Sequence, residues 1–227
     1  MLRLQQKGIF MNKILMKHPL FAGIALQDLN HILSCMESRQ QSFNEGSFIF
    51  LADESYPKLG ILLSGKAQVI KENMFGDRMI IGALEAGNLF GETYACMGLS
   101  KIPVSVEAME DCSVLLLDIN RMLKTCSNAC TFHQRLVANL LNIVATKNMQ
   151  LNRKMSYLTH KTIRGRLLAY LEDQAERTNS DAFEIPFNRN ELADYLCVDR
   201  SAMSRELGRM KKEGLLDFSR KAFRLQV

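Results

Sequence analysis

Residues 188–216 read NRNELADYLCVDRSAMSRELGRMKKEGLL, and this run decides how the rest of the chain is read. Asn188 followed three residues later by Glu191 has the form of a capping box, and Leu192, Ala193 and Leu196 then fall at helical spacing. The chain turns at Cys197-Val198-Asp199, and Asp199 can accept from the free N–H groups that open a second helix. Met203, Leu207 and Met210 recur at i, i+4, i+7 and predict its buried side. Opposite them lie Arg200, Ser201, Ser204, Arg205 and Gly208, with Lys211 and Lys212 one turn on. A helix offering arginines and small hydroxyls from its first two turns suits a DNA major groove, where a guanidinium fork matches the guanine O6/N7 edge. A solvated helical pair inside a larger core is the plainer alternative. Cap, turn, small Ala193, apolar spacing and basic face agree within one window, which favours the DNA-reading helix-turn-helix. Two positions depart from the usual motif: Cys197 stands where the turn commonly has glycine, and Glu206 where an apolar residue is common. Cys197 must therefore adopt its backbone conformation without glycine's freedom, and Glu206 is expected to lean to the helix edge.

With 227 residues and 47% hydrophobic content the chain can form one large or two modest cores. The formal charge of +5 is unevenly placed: residues 153–227 hold 15 Lys/Arg against 11 Asp/Glu, and residues 1–152 hold 14 against 13. Contact with a polyanion is expected of the C-terminal part. Six cysteines without a regular framework, and an opening without a signal-peptide pattern, point to a reducing cytoplasm. No apolar run approaches the ~20 residues that span a bilayer, so no membrane role is expected.

Residues 1–34 read as amphipathic helix, with 1–12 as a loose leader. From Gln41 the period changes to short strands punctuated by glycine: SFNEGSFIF, LGILLSGKAQVI, GDRMIIGAL, AGNLFGE, VSVEAM and CSVLLLD, with Phe75-Gly76-Asp77 as a hairpin tip. That pattern predicts an antiparallel, jelly-roll-like β-roll. From Ser127 a helical period persists for about thirty residues. Val137, Leu140, Val144, Leu151 and Leu158 form one seam, and Phe132, Leu136 and Ile143 a second. Two stripes call for two neighbours, so the second is assigned to the roll and the first to a partner helix in a homodimer. Another helix, 160–177, is broken at Thr178-Asn179-Ser180-Asp181. A short strand, 183–187, enters the helix-turn-helix, and LLDFS and AFRLQV flank Arg220-Lys221 as a wing whose tip meets phosphates. The fold class is α+β, with a sensor domain at 1–126, a long dimerisation helix at 127–158 and a winged helix-turn-helix at 159–227.

Phe43-Asn44-Glu45-Gly46, Leu62-Leu63-Ser64-Gly65, Gly87-Asn88-Leu89-Phe90-Gly91-Glu92 and Asp199-Arg200-Ser201-Ala202-Met203-Ser204-Arg205, in this order over nearly the whole chain, resemble the Crp/Fnr family of bacterial transcription regulators. The resemblance implies a homodimer on double-stranded DNA, a roll that senses a small-molecule effector, and, for activators, contact with RNA polymerase. It implies base contacts from Arg200, Ser201 and Arg205, flanked by Ser204, Lys211 and Asp199, and backbone contacts near Asn188, Arg189, Arg220 and Lys221. Cyclic-nucleotide members of the family follow the Gly-Glu pair with a phosphate-binding arginine and a small hydroxyl residue, and place Thr-Ser on the central helix. Here Gly91, Glu92 and Thr93 are followed by Ile102-Pro103 at the first pair and Leu151-Asn152 at the second. These replacements argue against cyclic AMP, because a buried cyclic phosphate needs a cation or several N–H donors. The effector is left open.

Cys126, Cys130 and His133 share one helical face, but structural zinc takes four ligands and no fourth is evident, so no metal site is assigned. Cys35 is the only cysteine before the roll, and the N-terminal cysteine cluster of iron–sulfur members is absent. No axial haem ligand is evident, and His18, His31 and His160 read as surface or interface residues. Cys96 and Cys112 are candidate redox thiols that burial would render inert. Nothing completes a catalytic set around Glu92, so an enzyme is not expected. A regulatory module of the kind found in nucleotide-gated kinases and channels would lack residues 188–227. A ligand- or redox-sensing module whose DNA binding is secondary remains the alternative.

Overall fold

The structure is a computed structural model that describes residues 13–54, 58–73, 75, 78–99, 101–123 and 131–226. The chain divides into two compact units, one up to Ala145 and one from Thr146 onward.

In the first unit, helical residues 13–17 (α1), a 3-10 turn Pro19–Phe21 and α2 (Leu26–Cys35) precede the strands. The strands are β1 (Arg39–Phe43), β2 (Phe48–Phe50), β3 (Lys58–Ser64), β4 (Lys66–Glu72), β5 (Arg78–Glu85), β6 (Leu89–Phe90), β7 (Ser105–Ala108) and β8 (Cys112–Asp118). Short helices α3 (Glu92–Met97) and α4 (Ile119–Leu123) follow β6 and β8. The strands form two antiparallel four-stranded sheets, ordered β1-β8-β3-β6 and β2-β7-β4-β5. The expected roll is present. The tip expected at Phe75-Gly76-Asp77 lies largely outside the described residues, as do 1–12, Cys126 and Cys130.

Strand alternation explains why β3 and β8 are apolar on both faces. Leu62 of β3 and Val114 and Leu116 of β8 point between the sheets, meeting Phe50, Ala67 and Val106 of the other sheet. Leu59, Ile61, Leu63, Leu115 and Leu117 point the other way, onto Leu15, Leu20, Leu29, Ile32, Leu136 and Leu140. Gly60 is required by close approach: a Cβ there would lie 2.3 Å from the Phe90 ring. His18, expected at the surface or an interface, is buried; its Nδ1 accepts the Leu20 N–H at 3.1 Å and caps the 3-10 turn.

The long helix, α5, runs over Thr131–Thr159. Its two expected stripes behave as one. Leu136 and Leu140 are both buried in the first unit's core, and Phe132, Val137, Ile143 and Val144 pack partly against it. Positions 136, 137, 140, 143 and 144 are a single helical face about 120° wide, so one neighbour suffices for both stripes over this stretch. Leu140 is therefore committed within its own chain, at 4% exposure. Leu158 is half-buried, and Leu151 is exposed.

The second unit continues with α6 (Ile163–Thr178), β9 (Ala182–Glu184), α7 (Arg189–Tyr195), α8 (Arg200–Lys212), β10 (Leu216–Ser219) and β11 (Ala222–Leu225). The Thr162 hydroxyl caps α6 by accepting the Gly165 N–H, and Asn179, in left-handed backbone, ends it. The three strands form an antiparallel sheet in the order β10-β11-β9. Leu167, Leu171, Leu192, Leu196, Met203, Leu207, Met210 and Leu216 make one core beneath it.

Candidate nucleic-acid interface

The first helix of the motif is fixed at both ends by its own sequence. Asn188 Oδ1 accepts the N–H groups of Asn190 and Glu191 at 2.9 and 3.0 Å, and Glu191 Oε2 accepts the Asn188 N–H at 2.6 Å. At the other end the Val198 N–H reaches Ala193 O at 3.0 Å and the Cys197 N–H reaches Asp194 O at 3.2 Å. This is a Schellman closure, whose left-handed residue is usually glycine. Cys197 occupies that position with φ 52°.

Arg166 of α6 braces the turn. Its Nη1 donates to the carbonyls of Leu196 and Cys197, each at 3.0 Å, and its Nε to His160 O at 3.0 Å. Charge-assisted bonds to two consecutive carbonyls hold the turn in a conformation that its side chain disfavours. Nothing in the local motif marked Arg166 for this role, because its partners lie thirty residues on.

Asp199 caps α8 through Oδ1, which accepts the Ala202 N–H at 2.7 Å. Met203, Leu207 and Met210 are fully buried. Arg200, Ser201, Ser204 and Arg205 are exposed, and among the described residues none of the four side chains makes a hydrogen bond or ion pair. The helix's one carboxylate, Glu206, and that of its cap residue, Glu213, are drawn aside. Arg164 of α6 binds Glu206 at 2.6 Å through Nε and Glu213 at 2.8 and 2.9 Å through its terminal nitrogens. The Glu213 carboxyl is held below its ordinary range, chiefly by the Arg164 hydrogen bond. Glu206 thus leans to α6, and the outward side of α8 is left cationic.

The remaining expected DNA contacts have structural duties as well. Arg189 is half-buried with its guanidinium 4.7 and 4.9 Å from the ring centroids of Phe218 and Phe223. Burial lowers its pKa, and its Nη2 has no hydrogen-bond partner. Lys211 pairs with Asp217 at 2.5 Å and so ties α8 to the wing. Lys221 Nζ donates to Pro186 O at 2.8 Å, while Arg220 is exposed in the wing's turn at φ 52°.

In the first unit, Gly91 has φ +77°, and a Cβ on it would meet the Phe50 ring at 2.6 Å. Glu92 is buried at the start of α3, whereas Thr93 and Pro103 are exposed. Ile102 is buried in the apolar cluster between the sheets, with its backbone joined to Asp53 and Glu54. Leu151 and Asn152 belong to the second unit, where both are exposed and Asn152 donates to Asn148 Oδ1 at 2.7 Å. Cys112 is buried and Cys96 exposed; burial raises both thiol pKa values. His133 is buried with Nε2 3.6 Å from Cys35 Sγ.

Comparison with known proteins agrees with this geometry. The cyclic nucleotide-binding domain model matches residues 40–129, and the Crp-like helix-turn-helix domain model matches 165–226. The chain belongs to the Crp/Fnr family of transcription regulators. It is 22% identical over 208 residues to the transcriptional activator FnrA of Stutzerimonas stutzeri, covering 89% of this chain and 82% of that one. It is 26% identical over 199 residues to the cyclic AMP receptor protein of Thermus thermophilus, covering 87% and 88%. The fold is that of the Thermus thermophilus catabolite activator protein, at TM-score 0.52 and 23% identity over 92% of this chain and 93% of that one. The c-di-GMP-responsive regulator CLP of Xanthomonas campestris superposes at TM-score 0.54 with 17% identity over 89% and 100%. This member of the family is thus a DNA-binding transcription regulator with a cyclic-nucleotide-binding-like sensor domain. Among its described residues no helix is long and apolar enough to cross a membrane.

Proposed function

We propose that the chain acts as a homodimer that reads a palindromic duplex through Arg200, Ser201 and Arg205, with Ser204 beside them and Asn188, Arg220 and Lys221 at flanking phosphates. The observation that carries this reading is the unpaired Arg200/Arg205 face of α8. It is capped by Asp199 and cleared of carboxylates by Arg164. Arg189, Asp199 and Lys211 contribute by holding α7, α8 and the wing in place.

The dimer contact proposed is the outer face of α5, not the seam through Leu140. Leu141, Ala145, Asn148, Asn152 and Met155 recur there at spacings of four and three, the seam of a coiled coil. Leu141 and Met155 are 67% and 64% exposed, and the Asn148–Asn152 pair would set register across a two-fold axis.

Site selection from random duplexes tests the DNA reading. A palindrome should emerge, and Arg200→Ala should lose about 1–3 kcal/mol of discrimination at one base pair per half-site. Lys221→Ala should weaken all duplexes alike and flatten the salt dependence by about one unit. Selection that yields no preferred sequence would end this reading.

The signal is proposed to be something other than cyclic AMP. Ile102, where a phosphate-binding arginine would stand, is instead part of the apolar filling between the sheets. A cyclic phosphate placed there would lose its hydration without a matching cation. Calorimetry with cyclic AMP and cyclic GMP at millimolar concentration should show no saturable heat. Low-micromolar binding of either nucleotide would refute this and make Lys101 the residue to re-examine.

A further inference from the structure

The second unit contains a cavity of about 480 Å³ that the DNA-reading face does not use. α5 contributes Lys147 and Lys154, α6 contributes Tyr170 and Arg177, and the segment entering and leaving α7 contributes Phe187 and Tyr195. Its size is that of sites for small organic ligands.

The walls are aromatic. The Phe187 and Tyr195 centroids lie 4.6 Å apart, and the Tyr170 ring lies 5.7 Å from Tyr195 and 6.2 Å from Phe187. The rim is cationic. Lys154 Nζ sits 4.9 Å from the Tyr195 centroid, and Lys147 and Arg177 add two further positive charges, with no carboxylate among the lining residues. Asp173 is 4.0 Å from Arg177, but it also serves Arg153 at 3.6 Å.

Tyr170 supplies the independent observation. The residue is only 2% exposed, and its hydroxyl is buried without a hydrogen-bond partner. Burial, the largest cause, raises the pKa of both Tyr170 and Tyr195, so each phenol keeps its proton and remains a donor. A buried donor with no acceptor is a standing cost that an occupant's oxygen would remove.

We infer that this cavity binds a small aromatic anion, its ring against Phe187 and Tyr195 and its negative group among Lys154, Arg177 and the Tyr170 hydroxyl. Phe187 immediately precedes the Asn188 cap and Tyr195 is the last residue of α7. The occupant therefore touches both ends of the helix that positions α8, and its binding changes affinity for DNA. That coupling rests on the DNA reading above; the binding itself does not.

The test is calorimetry on the full chain with 1-naphthoate, salicylate and indole-3-acetate, against neutral 1-naphthalenemethanol. At least one anion should bind saturably at one site per chain and at least tenfold more tightly than the alcohol. Arg177→Gln should weaken it at least fivefold and Tyr170→Phe about threefold, with unchanged thermal melting in both variants. No saturable heat from any of the three anions, or equal affinity for the alcohol, would overturn the site. With the selected duplex, a saturating anion should shift the DNA dissociation constant at least threefold, and an unchanged constant would overturn the coupling. If the chain bound no DNA at all, the reading face would fall while the calorimetry still decided the cavity.

Discussion

Between the sheets of the first unit, side chains from Ile49 to Leu116 are buried against one another; on the outward face of α8, Arg200, Ser201, Ser204 and Arg205 make no side-chain hydrogen bond or ion pair among the described residues. Both regions come from short, regular sequence patterns, yet the chain spends them differently. The roll is filled by its own apolar residues, Ile102 among them. Helix α8 has its caps, its buried side and even its carboxylates accounted for by neighbours, so its remaining polar groups are available to a ligand. Unpaired polar groups on a rigid support are what recognition requires, because little ordering remains to be done on binding.

The largest effect expected from breaking this contrast is on α5. Leu140→Glu should destabilise the first unit by at least ~3 kcal/mol, since it buries a carboxylate among Leu15, Leu20 and Leu115 and removes a core leucine. Leu141→Glu, one residue on but 67% exposed, should leave the fold intact and convert dimers to monomers in sedimentation. If the two variants behaved alike in thermal melting, the division of α5 into an inner and an outer face would be wrong.

A smaller effect is expected at the turn between the motif helices. Arg166→Ala removes both donors to the Leu196 and Cys197 carbonyls and should cost about 2 kcal/mol in denaturant unfolding. Cys197→Gly in that background should recover roughly 1 kcal/mol, because glycine accepts a positive φ without strain. In the wild-type background the same substitution should recover more, since Arg166 keeps the turn at its positive φ and prevents the strain from relaxing. Equal gains in both backgrounds would mean that the arginine does not brace the backbone.

The helix-turn-helix was legible because its information is local. Asn188/Glu191, Asp199 and the Met203/Leu207/Met210 spacing each act within one helix, and all are found as read. The runs that became β3 and β8 were equally legible as strands, though not which neighbour each face would meet. What eluded the sequence is long-range. Arg164 and Arg166 look like ordinary surface residues of α6 until folding brings Glu206, Glu213 and the Cys197 turn to them. Arg189 reads as a phosphate ligand until Phe218 and Phe223, some thirty residues on, lie under its guanidinium.

The same distinction governs α5 and the cavity. Period alone indicated a helix over 127–158 that is apolar on more than a narrow seam, and α5 is described over Thr131–Thr159. Adjacent stripes on a 3.6-residue helix differ by only a small rotation, so whether they meet one neighbour or two depends on what packs there. The sequence by itself determined the strands and the longer helices, their order and the polar face of α8, but not the short α3 and α4, because hydrophobic period and capping are properties of a single segment. Only the tertiary structure decided that Leu140 belongs to its own core, and that Tyr170, Phe187 and Tyr195 converge beneath Lys154 and Arg177. Contacts between distant segments are set by packing, which no local pattern encodes.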